Sequence, residues 1–359
     1  MKIAVIGAGI FGCLTALEAS NAGHEVILLE KNHDILSGAT PKSQNRLHLG
    51  LHYPRDLATA RQSIDGFRTF SSVFCDAINT QFPNYYAIAK ESSKVSVKEF
   101  ENFVRAAGIT IKEFDNGFKL ENEVRIKNVS RIWECHEGVI DMDTLREMIR
   151  SQIESSQVEL RTDSEVKTLE KSRSQWRLLT EDEESTYDFV IKCTYSSDSI
   201  TIESQDFTMR SRIYHKTLIQ VIESGVNNFG VTIVDGDFLT ILPQGFTNRL
   251  LAYGPSVSTR RAIEATSMPE SWSDGSQEEI NQFRLQIRER IDSWLENWEY
   301  VLSEDYLETT RTIEVGVEAT DRRTSQVLMS DERFMEIWSG KIDHAIDISR
   351  KIPGILSRY

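Results

Sequence analysis

The stretch Met1-Lys-Ile3-Ala-Val-Ile6-Gly7-Ala-Gly9-Ile10-Phe11-Gly12, followed by Glu25-Val-Ile-Leu-Leu-Glu30, decides the fold. Ile3 to Ile6 form a continuous apolar run of the kind buried in a parallel sheet, and they lead directly into the spacing G-x-G-x-x-G. Gly7 turns the chain out of the strand, Gly9 lets a pyrophosphate approach the backbone, and Gly12 lets the next helix pack on the sheet. That helix is expected over 11–21 and stops before Gly23. Its first turn, with Ile10 and Phe11, offers free N–H groups and a positive dipole end to a diphosphate. A second strand over 25–30 ends on Glu30, which is placed to accept hydrogen bonds from a ribose 2'- and 3'-OH and to repel a 2'-phosphate. Strand, glycines, helix, strand and acid thus arrive in the order a dinucleotide site requires, and NADP is the least suitable dinucleotide.

A chain of 359 residues, 40% hydrophobic and 27% charged, is long enough for two domains and a large core. Its formal net charge of −14 counts against a nucleic-acid or anionic-membrane partner, which would need clustered Lys and Arg. No run approaches the roughly eighteen apolar residues of a membrane span, and the fingerprint begins too early to leave room for a leader, so a cytoplasmic protein is expected. Cys13, Cys75, Cys135 and Cys193 form no C-x-x-C and are expected to be reduced.

Residues 31–55 show no periodicity and many polar groups, the mark of a functional loop. Helical spacing over 57–78 predicts a core-facing helix, and 97–107 a second one ended by Gly108. Residues 85–89 read as a strand, 124–133 as extended, and Asp141 or Asp143 as the cap of a helix over 144–153. Short strands are expected over 158–161 and 166–169, a hairpin over 176–187, and a buried strand over 189–193 that rejoins the nucleotide-binding sheet. Residues 206–256 read as a second sheet with turns at Asp235-Gly236 and Gln244-Gly245. Ser276-Gln-Glu-Glu279 is a capping box opening a helix with Ile280, Phe283, Ile287, Ile291, Trp294 and Trp298 on one face. Residues 310–317, a loop over 318–326, a strand over 334–338 and a final helix close the chain.

An N-terminal nucleotide fingerprint followed by Gly38-Ala39-Thr40 and Ser43 resembles the FAD-dependent D-amino-acid oxidase (DAO) superfamily. Arg46-Leu47-His48-Leu-Gly50-Leu-His52-Tyr53 is similar to the segment of L-2-hydroxyglutarate oxidases and dehydrogenases that passes the isoalloxazine, and glycine-oxidase-like members are also near. Glu137-Gly-Val-Ile-Asp141 resembles the family's return into the FAD domain, and Val166 stands where a backbone segment meets the adenosine. Gly316-Val317, Asp321 and Ser339-Gly340-Lys341-Ile342 are similar to the C-terminal flavin segment. The resemblance implies an α/β chain, α+β in its second domain. A Rossmann-like FAD-binding domain would comprise 1–84, 138–200 and 313–359, and a discontinuous antiparallel-sheet substrate domain 85–137 and 201–312. It implies FAD held by Gly7, Gly9, Ile10, Phe11, Gly12, Glu30, Lys31, Thr40, Ser43, Arg46, Leu47, His48, Val166, Thr194, Gly340, Lys341 and Ile342. Two departures matter. Cys193-Thr194-Tyr195 replaces the family's Ala-Thr-Gly and puts a bulky Tyr195 near the dinucleotide; Glu318 stands where many members carry the arginine that clamps a substrate carboxylate.

Hydride transfer to a flavin needs a positioned donor, exclusion of water and a base, so few catalytic groups are required. The candidates are Arg46, His48, His52 and Tyr53 in the loop, with His48 as the preferred base or hydrogen-bonding group, and Arg249 and Tyr253 on substrate-domain strands. Tyr214, His215 and Lys216 share those strands, and Arg322 and Arg323 could take over anion binding from the Glu318 position. Gly340 would allow close approach to the flavin pyrimidine edge, where Lys341 and Ile342 present backbone N–H groups or the lysine charge. No metal is expected, because Gly50 and Pro54 interrupt the helix that the His48/His52 spacing would need for zinc. The expected activity is removal of a hydride from a C–N or C–O bond of a small polar substrate, an amine, amino acid or amino-sugar-like molecule. An NAD-dependent Rossmann dehydrogenase and a non-catalytic flavoprotein subunit are the alternatives; the oligomeric state stays open.

Overall fold

The buried run Lys2–Ile6 lies at the centre of a six-stranded sheet in the order Glu159–Arg161, Glu25–Leu29, Lys2–Ile6, Phe189–Lys192, Phe334–Trp338, Gln326–Asp331. The first five are parallel and the last pairs antiparallel at the edge. This is a computed structural model, and it describes residues 1–359 apart from 121–122, 198, 205–206, 225–227, 236–237, 270–271, 273–274 and 318–319. Helix Ile10–Asn21 runs back along one face of the sheet and is buried over most of its length, which its all-round apolar sequence permits. The remaining cover of that face comes from Leu57–Val73, Met142–Glu154 and the short C-terminal helices Ala345–Ser349 and Ile352–Leu356.

A second sheet has nine strands built around Arg212–Ser224, which pairs with Arg249–Tyr253 and Thr259–Ala265 along one edge and with Tyr300–Glu314 along the other. The sheet continues through Thr240–Pro243, Gly230–Val234, Asn84–Ala89, Val129–Glu134 and Lys112–Glu113. It is mixed rather than purely antiparallel, because Gly230–Val234 and Asn84–Ala89 run parallel. Helix Gln277–Trp294 covers one face through Phe283, Ile287 and Ile291. The opposite face packs on Leu51 and Ala60 and looks toward the nucleotide-binding half.

Several expectations shift at their ends. The helix expected over 57–78 stops at Val73, because Ile78 and Asn79 pair with Gly138–Ile140, a strand that also receives Arg46 and Leu47; long-range pairing overrides helical spacing. Asp141 is the cap of the next helix, accepting from Thr144 N–H. Trp298 falls beyond the helix end and stacks on Tyr300. The strand expected from Val166 begins at Thr168, and residues 310–314 belong to the 15-residue strand Tyr300–Glu314. Ser276 caps its helix as expected, while the Glu279 carboxylate lies within ion-pair range of Arg260 and Arg261. The strands Thr259–Ala265 and Gln326–Asp331 were not anticipated. Gly236 and Glu318 lie outside the described residues.

Candidate functional site

Four chain segments leave the C-terminal edge of the parallel strands together: Gly7, Glu30, Cys193 with Thr194, and Ser339 with Gly340. Ligands of open α/β sheets bind along this edge. Gly7 has φ +96°, and a Cβ there would lie 2.9 Å from the Cys193 carbonyl oxygen and 3.4 Å from Thr194 Cα. A Cβ on Gly12 would lie 1.8 Å from the Gly7 carbonyl oxygen, so helix and turn interlock. Above Gly9, in contrast, a Cβ would meet only Thr40 Oγ1 at 3.5 Å. No side chain caps the helix there; Ile10 N–H reaches Thr40 Oγ1 at a long 3.4 Å.

Glu30 is buried and held by Ala8 N–H at 2.7 Å, Asn32 N–H at 2.9 Å and the Asn32 amide at 2.6 Å. A carboxylate accepts at about four lone-pair sites, so one is left for a ribose hydroxyl. Lys31 ties this turn to Ser197, 2.8 Å away. The open Gly9, the uncapped first turn and the oriented Glu30 fit the adenosine diphosphate half of FAD. Val166 is buried with Ala4, Leu29 and Val190 beside this edge, and Ser43 donates to Asn45 at 2.7 Å to shape the loop. Tyr195 sends its hydroxyl to Thr312 N–H at 3.2 Å, so its ring bridges to the nine-stranded sheet.

The loop after Leu47 brings His48, His52 and Tyr53 into contact, with ring centroids 4.4 Å apart for His48–His52 and for His52–Tyr53. Glu137 organises this loop from below. Its buried carboxylate accepts from Arg46 Nε at 2.9 Å, Leu49 N–H at 2.7 Å and the Tyr86 hydroxyl at 3.0 Å. Arg46 also donates to Thr232 at 2.6 Å and lies 4.8 Å over the Tyr86 ring, so its charge is fully engaged inside the protein. Spacing alone gave no signal for Glu137, because the pair spans 91 residues.

Backbone and side-chain bonds fix both histidine tautomers. Gly50 N–H donates to His48 Nδ1 at 2.9 Å, so the neutral ring carries its proton on Nε2, which lies 4.0 Å from the Asp343 carboxylate. In this tautomer His48 presents a donor toward Asp343, which suits the hydrogen-bonding half of the expectation rather than the base. The Tyr86 hydroxyl, committed as donor to Glu137, accepts from His52 Nδ1–H at 3.1 Å; His52 Nε2 is then an acceptor, 3.5 Å from Lys341 Nζ. Burial holds both imidazoles well below the ordinary range, reinforced at His48 by His52 and at both rings by Lys341 and Arg46.

Lys341 lies 4.7 Å over the Tyr53 ring. Burial lowers its ammonium and raises the carboxyl of Asp343, each partly offset by the other's charge. Burial pushes the Tyr53 phenol up. Gly340 and Lys341 N–H both point at Ser325 Oγ, at 2.7 and 3.4 Å, and a Cβ on Gly340 would lie 1.9 Å from the Arg323 carbonyl oxygen. Of the backbone groups expected at the cofactor, Lys341 N–H is thus turned toward Ser325, and the lysine charge is the alternative that the expectation offered. Ile342 begins the short helical turn Ile342–His344 and packs on the core of the parallel sheet.

The facing sheet presents a row across its strands: Tyr86, Thr232, Thr240 and Tyr253 are successive register partners and share one face. Tyr253 packs with Ile219, Leu251 and Leu307 and lies 4.6 Å beneath the Arg311 guanidinium. Arg249 is on the outside. It is paired with Glu223 at 2.9 Å and Asp305 at 3.0 Å with 40% of its side chain exposed, which removes it from the candidate catalytic residues. A surface cavity of about 400 Å³ at the C-terminal half of helix Ile10–Asn21, against Leu17, Asn21 and Ser155, is separate from these groups. Among the described residues no cluster of His, Cys, Asp and Glu could hold a metal, and no helix is long and apolar enough to cross a membrane.

A family model for FAD dependent oxidoreductases (DAO) matches residues 2–306. The chain is 25% identical over 353 residues to a protein named FAD-dependent monooxygenase FPY4 from Fusarium mangiferae, covering 95% of this chain and 87% of that one. Its fold is similar to that of L-alpha-glycerophosphate oxidase from Mycoplasma pneumoniae with FAD bound, at TM-score 0.73 and 16% identity over 99% of this chain and 94% of that one. Glycine oxidase from Geobacillus kaustophilus gives TM-score 0.69 and 12% identity over 99% and 93%. With its glycine turn, the buried acid at the end of the second strand and five parallel strands, the chain belongs to the DAO family of FAD-dependent oxidoreductases.

Proposed function

We propose that this enzyme oxidises a C–N or C–O bond of a small polar substrate held between the 46–53 loop and the Tyr86–Tyr253 face of the second sheet. The observation that carries this reading is the convergence of His48, His52, Tyr53, Lys341 and Asp343, buried or half-buried, on the side of the chain that faces that sheet. In this reading residues 1–84, 138–200 and 313–359 bind FAD, and 85–137 and 201–312 shape the substrate site. FAD, when bound, supplies the acceptor for the substrate's hydride.

The protein's own groups manage the proton and the geometry. His52 Nε2 and the neutral form of Lys341 are the acceptors for a substrate N–H or O–H proton, and Asp343 holds the compensating charge when Lys341 becomes cationic. His48 Nε2 donates and fixes orientation. Tyr53 and Tyr86 exclude water around the loop. The Fusarium relative's name raises a second reading, hydroxylation driven by a nicotinamide reductant.

Anaerobic mixing of the purified holoprotein with amines, amino acids, amino sugars and hydroxy acids separates the two. Bleaching of the flavin band by a panel member without nicotinamide is the expected result. Bleaching by NADH or NADPH alone would replace the first reading with the second.

A further inference from the structure

Helix Leu57–Val73 directly follows the loop that carries His48, His52 and Tyr53, and Asp56 caps it by accepting from Thr59 N–H at 2.9 Å. Helical spacing puts Thr59, Gln62, Ser63 and Gly66 on one face. Thr59 and Ser63 are buried there, and the face grips a segment 263 residues further along. Thr59 Oγ1 accepts from Arg323 N–H at 3.0 Å, and the Gln62 amide donates to the Ser325 carbonyl at 3.0 Å while accepting from Ser325 N–H at 2.9 Å. Gly66 lies against the following turn, where a Cβ would come 2.4 Å from the Asp343 carbonyl oxygen. Ser325 Oγ accepts from Gly340 and Lys341 N–H, which occupies both of its lone pairs, so its one hydrogen goes to His344 Nδ1 at 2.9 Å. His344 thus carries its proton on Nε2 and donates to Ser63 Oγ at 3.2 Å, which closes the chain back onto the helix. An apolar face would pack without choosing a register; this directional network admits one arrangement.

We propose that Ser325 and His344 are positioning residues: anchored on Gln62 and Ser63, they fix the 340–343 turn against the 46–53 loop and so set where the Lys341 ammonium stands beside bound FAD. Loop and turn hang on the same helix, and the network registers His52 and Lys341, 289 residues apart in sequence, at 3.5 Å. The inference deepens the proposed function and rests on it for the place of Lys341 at the flavin. A cation there stabilises the reduced flavin, the more negative form, so displacing it makes the flavin harder to reduce.

The test is the reduction potential of the flavin in the holoprotein, measured without substrate by equilibration with a reference dye at pH 6, which favours the charged form of Lys341. Lys341→Met is expected to shift the equilibrium away from reduced flavin at least tenfold, about 30 mV for a two-electron couple. Ser325→Ala and Gly66→Ala are expected to shift it the same way by at least threefold, about 14 mV. Ser72→Ala, on the exposed side of the same helix, is expected to leave it unchanged. Gly66→Ala removes no hydrogen-bonding group and raises helix propensity, so it guards against a general weakening of the fold in Ser325→Ala. A potential lowered in Lys341→Met but unchanged in either Ser325→Ala or Gly66→Ala would overturn the positioning role and leave the proposed function standing. An unchanged potential in Lys341→Met would overturn the place of Lys341 at the flavin, and this inference with it.

Discussion

Gly50 N–H occupies His48 Nδ1, and that one bond decides what His48 can do: the ring donates from Nε2 and has no lone pair free. His48→Gln retains an amide donor, so flavin reduction is expected to slow by less than about tenfold, whereas loss of a general base costs roughly 10²–10⁴. Stopped-flow reduction by the best panel substrate makes the comparison, and a hundredfold loss would return the base role to His48. The sequence revealed that the imidazoles lie in a functional loop, because glycine, histidine and tyrosine crowd into eight residues. It could not reveal their tautomers, which depend on Gly50 N–H and on Tyr86, 34 residues from His52. Arg249 was misplaced for a related reason: alternation along a strand identifies two faces without saying which one looks inward, and cross-strand Glu223 settles it.

At the level of elements, local chemistry was readable and long-range pairing was not. The strand, glycine turn, helix and strand over 1–30 follow from contiguous residues, and a short spacing narrows the next cap to Asp141 or Asp143, of which Asp141 serves. The early end of helix Leu57–Val73 depends instead on a strand more than sixty residues further along. Glu137 is the clearest case, since it joins the 46–53 loop to Tyr86 on the second sheet. Removing it leaves Arg46 as a buried charge without its carboxylate. Glu137→Ala is therefore expected to destabilise the fold by about 3–5 kcal/mol, the cost of breaking a buried ion pair from one side. Chemical denaturation measures this, and a change under about 1 kcal/mol, the range of surface pairs, would contradict the account.

Over the whole molecule, buried neutral histidines make stability pH-dependent. His344 lies between Ser63 and Ser325, and burial lowers it to about 3; His48 and His52 are lowered too. A depressed folded pKa gives stability that is present above the unfolded value, near 6.5, and lost as pH falls toward the folded one. Each such histidine contributes a slope of up to about 1.4 kcal/mol per pH unit over that window. Melting temperature is expected to fall between pH 7 and 5, with a shallower slope in His344→Gln; an identical slope in that variant would show that His344 is not among the groups responsible.

In the proposed reaction the substrate itself delivers the hydride, between the 46–53 loop and the facing sheet. The most direct test is anaerobic flavin reduction by the best panel substrate, with protium or deuterium on the carbon to be oxidised. Severalfold slower reduction with deuterium and no requirement for nicotinamide are expected. Equal rates for the two isotopologues, or reduction only when NADH or NADPH is present, would contradict the proposed reaction.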